Sequence, residues 1–127
     1  MTKKFITTTK APAAIGVYSQ AVVSGNTLYI SGQIPLMPDS MEIVSENIEA
    51  QIEQVFDNLT AICVEAGAKL DDAIKFNVYL TDLAHFPKVN TAMEQRLAAP
   101  YPARAVVEVS ALPKGVQVEV DAIVDLS

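Results

Sequence analysis

Two residues near the C-terminus have the chemistry to handle a small polar substrate. They are Arg104, in Ala103-Arg104-Ala105-Val106-Val107-Glu108, and Glu119, in Val116-Gln117-Val118-Glu119-Val120. A guanidinium grips a carboxylate at two points through its planar fork. A carboxylate nearby can take or give a proton and orient a water. Both residues sit in runs that alternate in polarity, with Leu112-Pro113-Lys114-Gly115 between them, the pattern of a terminal hairpin. If the apolar faces of the two strands coincide, Arg104 and Glu119 share the opposite face, and paired residues have numbers with an odd sum. The registers nearest the turn then place Glu119 opposite Val106 or Glu108. In the first, Arg104 lies diagonal to Glu119, roughly 7–8 Å away between backbones, and a small anion can bridge them. The same spacing fits an ordinary cross-strand salt bridge on a solvated face. The catalytic reading gains weight if an oligomer buries that face, because a dry ion pair is costly to keep.

Other candidates carry less. His85, in Asp82-Leu83-Ala84-His85-Phe86, lies near a helix start and reads as a surface or capping residue, since no serine has a nucleophile-elbow context. Cys63 lies beside the apolar stripe of a helix and reads as a small core hydrophobe rather than a catalytic thiol. Ser31-Gly32-Gln33 follows a strand, where backbone N–H groups can meet an anion or simply turn the chain. Asp71-Asp72 reads as a solvated strand entry. No Walker or dinucleotide fingerprint is present.

The elements that must hold these residues follow from periodicity. Lys4 to Thr9 alternates weakly, as an added edge strand would. Tyr18 to Val23 and Thr27 to Ser31 are β-rich runs joined by Ser24-Gly25-Asn26, a hairpin turn. Ser45 is placed to cap a helix with Glu46 and Glu49 in its first turns. Ile48, Ile52, Val55, Leu59, Ile62 and Ala66 form its single apolar stripe, and Gly67 ends it. From Ala73 to Leu80 alternation is strict, with Ile74, Phe76, Val78 and Leu80 on one face. Pro87 opens a shorter helix carrying Val89, Met93 and Leu97. The order ββαβαββ predicts an α+β fold, a mixed β-sheet with two helices packed on one face. The other sheet face is left open.

Composition says what covers that face. The chain has 127 residues, enough for a single domain over 1–127. Half of them are apolar, only 19% are charged, and the mean hydropathy is +0.27. A domain this small has too much surface to hide so many apolar groups, which predicts an obligate oligomer. Fifteen acidic against nine basic residues give a formal net charge of -6. That argues against nucleic acid as a partner, because phosphate contact needs clustered Lys and Arg. One Cys and one His exclude an intramolecular disulfide and the Cys/His set of a structural zinc. Met1 to Pro12 lacks the apolar core of a leader, and no run approaches the ~18 apolar residues of a membrane span. The expectation is a cytoplasmic protein with no membrane partner.

Five blocks resemble the RidA (YjgF) family. They are Ala13-Ala14-Ile15-Gly16-Val17-Tyr18-Ser19-Gln20, Ser31-Gly32-Gln33-Ile34-Pro35, Asn77-Val78-Tyr79-Leu80-Thr81-Asp82-Leu83, Pro102 to Val109, and Leu112 to Val120. They occur in order and cover nearly the whole chain. The resemblance implies a chorismate-mutase-like, barrel-forming homotrimer with sites in the clefts between subunits. It implies hydrolysis of reactive enamines and imines, such as 2-aminoacrylate, 2-iminopropanoate and 2-iminobutanoate, to 2-keto acids and ammonia. No cofactor or metal is implied, and the partner is a small imino or keto acid. By resemblance Arg104 forks the substrate carboxylate and Glu119 positions the attacking water. Tyr18, Ser31, Gly32, Asn90 and the backbone around Val106 line the cleft. The chain departs from the family at three places: Val106 stands where Cys is frequent, Gly16-Val17-Tyr18 where Gly-Pro-Tyr is familiar, and the stretch from Asn90 to Arg104 is a few residues short, with Met93-Glu94-Gln95-Arg96-Leu97 lacking the usual aromatics. Two other functions compete: a non-catalytic trimer that binds small carboxylates, and a ribonuclease or translation inhibitor.

Overall fold

The computed structural model describes residues 2–127. Six strands form one sheet in the order β1-β2-β3-β6-β4-β5: β1 Lys4–Ile6, β2 Ala21–Ser24, β3 Thr27–Gln33, β4 Ala73–Leu80, β5 Ala103–Glu108 and β6 Val118–Asp125. Two helices, α1 Ile48–Glu65 and α2 Phe86–Arg96, lie against it. This is the mixed sheet with two helices that the periodicity predicts. The N-terminal strand is present and pairs with β2.

Local chemistry sets the element ends. β2 and β3 meet at Ser24 and Thr27, leaving Gly25-Asn26 as a two-residue turn. Gly25 takes φ +60° at its first central position, where a side chain is disfavoured. Helix α1 begins two residues later than Ser45 would set it. Asn47 is the cap: its Oδ1 accepts from the Ala50 N–H at 2.9 Å, while the Ser45 Oγ accepts from the Asn47 N–H at 3.0 Å. Asn caps a helix as well as Ser does, and the Ser hydroxyl is used one step upstream. Gly67, at φ +85°, follows the helix end as expected.

The stripe Ile48, Ile52, Val55, Leu59 and Ile62 is buried against the sheet, where Leu28, Ile30, Phe76, Val78, Leu80, Val118, Val120, Ala122 and Val124 face it. Phe56 and Phe76 meet edge to face at 5.9 Å, a contact adding ~1 kcal/mol beyond area burial. One expected core residue is not there. Ile74 is 48% exposed, because the β4–β6 register slips between Ala73 and Lys75 and breaks the alternation at the strand's first turn.

The main departure from expectation concerns β5 and β6. They do not form a hairpin. β4 lies between them, antiparallel to β6 and parallel to β5. Parallel neighbours need a crossover, and α2 supplies it. The nine residues from 109 to 117 then carry the chain around the C-terminal end of β4. The Val109 N–H donates to the Leu80 carbonyl at 2.8 Å on one side, and the Thr81 N–H to the Gln117 carbonyl at 3.1 Å on the other.

Pairing fixes the faces. Arg104, Val106 and Glu108 pair with Phe76, Val78 and Leu80, so they point to the helix side. Ala105 and Val107 point to the open face with Asn77 and Tyr79. Across that face runs an apolar row, Phe5, Val22, Tyr29 and Ile123, in register over four strands. Phe5 is 61% exposed, Tyr29 49% and Val107 45%. Contiguous apolar surface of this kind marks an interaction face.

Candidate functional site

Glu119 sits on the open side of β6, paired with Tyr79. Its carboxylate lies against Gly32 of β3, where the β3–β6 pairing is interrupted between Ile30 and Gln33. A Cβ on Gly32 would stand 2.9 Å from the carboxyl carbon of Glu119 and nearer still to Oε2. Gly32 is therefore glycine for space. The neighbouring Ser31 is an anchor: its Oγ donates to the Ser19 carbonyl at 2.6 Å and its N–H to the Gln20 carbonyl at 3.0 Å. Gln20 is buried and staples the preceding segment, accepting from the Thr8 N–H at 2.7 Å and donating to the Pro12 carbonyl at 2.8 Å. That staple places Tyr18, whose hydroxyl accepts from the Ile15 N–H at 3.4 Å. The result is a cleft of about 610 Å³ walled by Tyr18, Ser31, Gly32, Met41, Lys114 and Glu119, with apolar residues around them.

Burial raises the carboxyl pKa of Glu119 above its usual value, and the nearby Asp121 carboxylate raises it further. Asp121 is held fast by Asn77 Nδ2 at 2.8 Å and by the Tyr79 hydroxyl at 3.0 Å. A carboxyl that keeps its proton more readily is suited to giving as well as taking one.

Arg104 occupies a second cleft, of about 410 Å³, with Asn90, Met93, Glu94, Tyr101 and Pro102. Its Nη1 donates to Asn90 Oδ1 at 2.5 Å and reaches Met93 Sδ at 3.7 Å, and its guanidinium carbon stands 5.0 Å from the centre of the Phe86 ring. No carboxylate among the described residues forms an ion pair with it.

The expected residues thus fall into two groups. Tyr18, Ser31 and Gly32 gather around Glu119; Asn90 gathers around Arg104; Val106 is half-buried on the helix side, two residues beyond Arg104. The expected diagonal between Arg104 and Glu119 does not exist. Their pairing partners, Phe76 and Tyr79, show them two strands apart and three residues out of step, roughly 14 Å between Cα atoms. They also point to opposite faces. The shared-face argument fails because it took β5 and β6 as neighbours, and β4 separates them.

Sequence reasoning missed Phe86, Met93 and Asp121. The first two are readable in retrospect: Phe86, Asn90 and Met93 are spaced 4 and 3, one helix face. Asp121 follows Glu119 at the strand period of two. His85 and Cys63 stay outside both clefts. Cys63 is fully buried, and burial pushes its thiol up to about 12.

Comparison with known proteins decides the ancestry. The family model described as Endoribonuclease L-PSP matches residues 8–126. The chain is 47% identical to a RutC family protein of Pyrococcus abyssi over 97% of each chain. It is 42% identical to the 2-iminobutanoate/2-iminopropanoate deaminase of Bos taurus, covering 97% of this chain and 90% of that one. The crystal structure of RidA from an Antarctic Psychrobacter superposes with a TM-score of 0.92 at 54% identity, covering 96% and 98%. The chain belongs to the RidA family. The α+β architecture described above is that of its RidA neighbours. Within the family the names divide: some members are named as imine deaminases, many only as RutC proteins, and the family model itself as an endoribonuclease. No helix among the described residues is long and apolar enough to cross a membrane.

Proposed function

We propose that this protein hydrolyses reactive imines and enamines of small amino acids, such as 2-iminobutanoate and 2-aminoacrylate, to 2-keto acids and ammonia. The site is assembled in a homotrimer from the Arg104 cleft of one protomer and the Glu119 cleft of the next. One observation carries this reading: among the described residues the Arg104 guanidinium has no carboxylate partner, and the partly buried Glu119 carboxyl lies in a different cleft, on the opposite face of one sheet. Neither half is a hydrolytic site alone. A second copy docked on the exposed apolar face would complete it, which gives Val107, Tyr29 and Phe5 a burial partner.

Arg104 holds the substrate carboxylate by two N–H groups. Glu119 accepts a proton from a water as its oxygen attacks the imine carbon, and passes that proton to the nitrogen. Glu119 then relays the hydroxyl proton of the resulting carbinolamine to its nitrogen, the C–N bond breaks with its electron pair on nitrogen, ammonia leaves, and the carbonyl forms. An enamine enters the same path after protonation at its β-carbon. No electrons are exchanged with an outside partner. The reaction proceeds unaided in water, so positioning and proton transfer are sufficient. The endoribonuclease name of the family model has less support, since a chain of net charge -6 repels a polyanion.

The test is turnover of imines made in situ by a dehydratase or an amino-acid oxidase, followed by keto-acid release. Subunit mixing then tests the assembly. Arg104→Ala and Glu119→Ala proteins, each inactive alone, regain about a quarter of the sites when co-assembled at random, because one interface in four unites an intact Arg with an intact Glu. Inactive hybrids, or a protein that sediments only as a monomer, would overturn the shared site.

A further inference from the structure

The proposed reaction needs Arg104 to meet a carboxylate with two parallel N–H groups, and a guanidinium offers two edges for that. One is the Nη1–Nη2 end; the other is the Nε–Nη2 side. Which is available depends on what the protein already holds. Nη1 is already engaged by α2: it donates to Asn90 Oδ1 at 2.5 Å and to Met93 Sδ at 3.7 Å. The guanidinium carbon stands over the ring of Phe86, one turn earlier on the same helix, 5.0 Å from its centre. Nε and Nη2 donate to no group among the described residues.

We propose that Phe86, Asn90 and Met93 are positioning residues that hold Arg104 by its Nη1 corner and one ring-stacked face, so that it presents its Nε–Nη2 edge to the substrate carboxylate. This rests on the deaminase reading for the identity of the carboxylate, though not for the geometry of the grip. The spacing of the three residues explains the arrangement. At i, i+4 and i+7 they form one stripe of α2 directed at β5. Arg104 is exposed and has no ion-pair partner among the described residues, so without these contacts its side chain would sample many rotamers. Ordering it in advance lowers the cost of binding. Phe86 supplies attraction to the cation without competing for an N–H, and Asn90 supplies an acceptor without neutralising the charge, as an Asp there would.

Two measurements separate this proposal from the deaminase reading. In the wild-type protein, titration with 2-oxobutanoate should shift the Nε–H resonance of Arg104. Phe86→Leu should raise KM, and the dissociation constant for 2-oxobutanoate, by roughly three- to tenfold with kcat within twofold. Phe86→Tyr, which keeps the ring, should recover most of the affinity. Asn90→Ala should also raise KM, and the carboxylate should then perturb both ends of the guanidinium. A general structural defect would lower kcat and the melting temperature together and would not be rescued by Tyr. A wild-type protein that binds 2-oxobutanoate with the Nε shift but turns over no imine would end the deaminase reading and leave this one standing. An active enzyme whose Arg104 Nε–H does not respond, or whose Phe86→Leu variant keeps its KM, would overturn the positioning role. Failure of Phe86→Leu to fold would shift the decision to the wild-type titration.

Discussion

Replacing Gly32 by Ala tests the Glu119 half of the site through one methyl group. The added Cβ would stand 2.9 Å from the Glu119 carboxyl carbon, where ordinary carbon contacts begin near ~3.5 Å. Both Oε2 and the carboxyl carbon must retreat, and the carboxylate moves by about 1 Å. A misplacement of that size in a catalytic group costs ~100-fold in rate. The backbone should tolerate the change. Gly32 is not in the left-handed region, unlike Gly16, Gly25, Gly67 and Gly115, and Ala inside a strand is favoured over Gly by roughly 0.5–1 kcal/mol. The expected result is therefore unusual: kcat/KM for 2-iminobutanoate falls ~100-fold while the melting temperature holds or rises. A second substitution sharpens the test. Glu119→Asp shortens the side chain by one methylene, so in the Gly32→Ala protein it relieves the clash, and the double variant should be less impaired than the two single losses combined. A folded, trimeric Gly32→Ala protein with kcat/KM within threefold of wild type would refute the argument. It would mean that the carboxylate is free to work from elsewhere.

Arg104→Lys should lower kcat/KM by roughly 10- to 100-fold, since an ammonium keeps the charge but loses the planar two-point grip; unchanged kinetics would assign Arg104 a structural role only. Glu119→Gln should keep 2-oxobutanoate binding and lose most turnover, because the amide cannot accept the proton of water; loss of binding in a folded trimer would place Glu119 in recognition instead. The same variant has a stability consequence. Burial and Asp121 raise the Glu119 pKa, so the folded state holds that proton more tightly than the unfolded chain does, and the stability it contributes at low pH is lost as pH rises through the folded-state value. The always-neutral Gln should accordingly melt higher than wild type at neutral pH and no higher in acid, as calorimetry would show. Cys63→Ala should retain deamination at a cost of about 1 kcal/mol in stability, because the thiol is buried and pushed up to about 12, and carries no thiolate at neutral pH; abolished activity in a folded variant would make the chemistry thiol-dependent.

The helices and the central strands were legible because one-sided burial writes a period into the sequence. The stripe from Ile48 to Ile62 is buried residue for residue, and Phe76, Val78 and Leu80 are wholly covered. Ile74 was not legible, since a register slip leaves no mark on alternation. Gly32 stood inside a recognised block, yet its reason for being glycine is a side chain 87 positions away. That kind of contact depends on which strands adjoin, and periodicity does not report adjacency.

The terminal strands show the limit most clearly. Alternation says that Ala105 and Val107 share a face and that Arg104, Val106 and Glu108 share the other. The usual inference then sends the apolar set to the core. In β5 the assignment is reversed: Arg104 and Glu108 point toward the helices, while Ala105 and Val107 lie on the open face beside Asn77 and Tyr79. The inversion has a physical reading. A strand at a sheet edge whose outward residues are apolar is paired for a surface that a single protomer does not supply. The surplus of apolar residues in the composition, the partly exposed row from Phe5 to Ile123, and the outward face of β5 are then one signal read at three levels. In the proposed homotrimer, a partner packed along the β5 edge would cover Val107 on one side of that strand and bring its Glu119 cleft to Arg104 on the other. On that argument, polar substitution of Val107 and of Tyr29 should dissociate the oligomer and abolish turnover together, while leaving each protomer's fold and the Arg104–Asn90 contact in place.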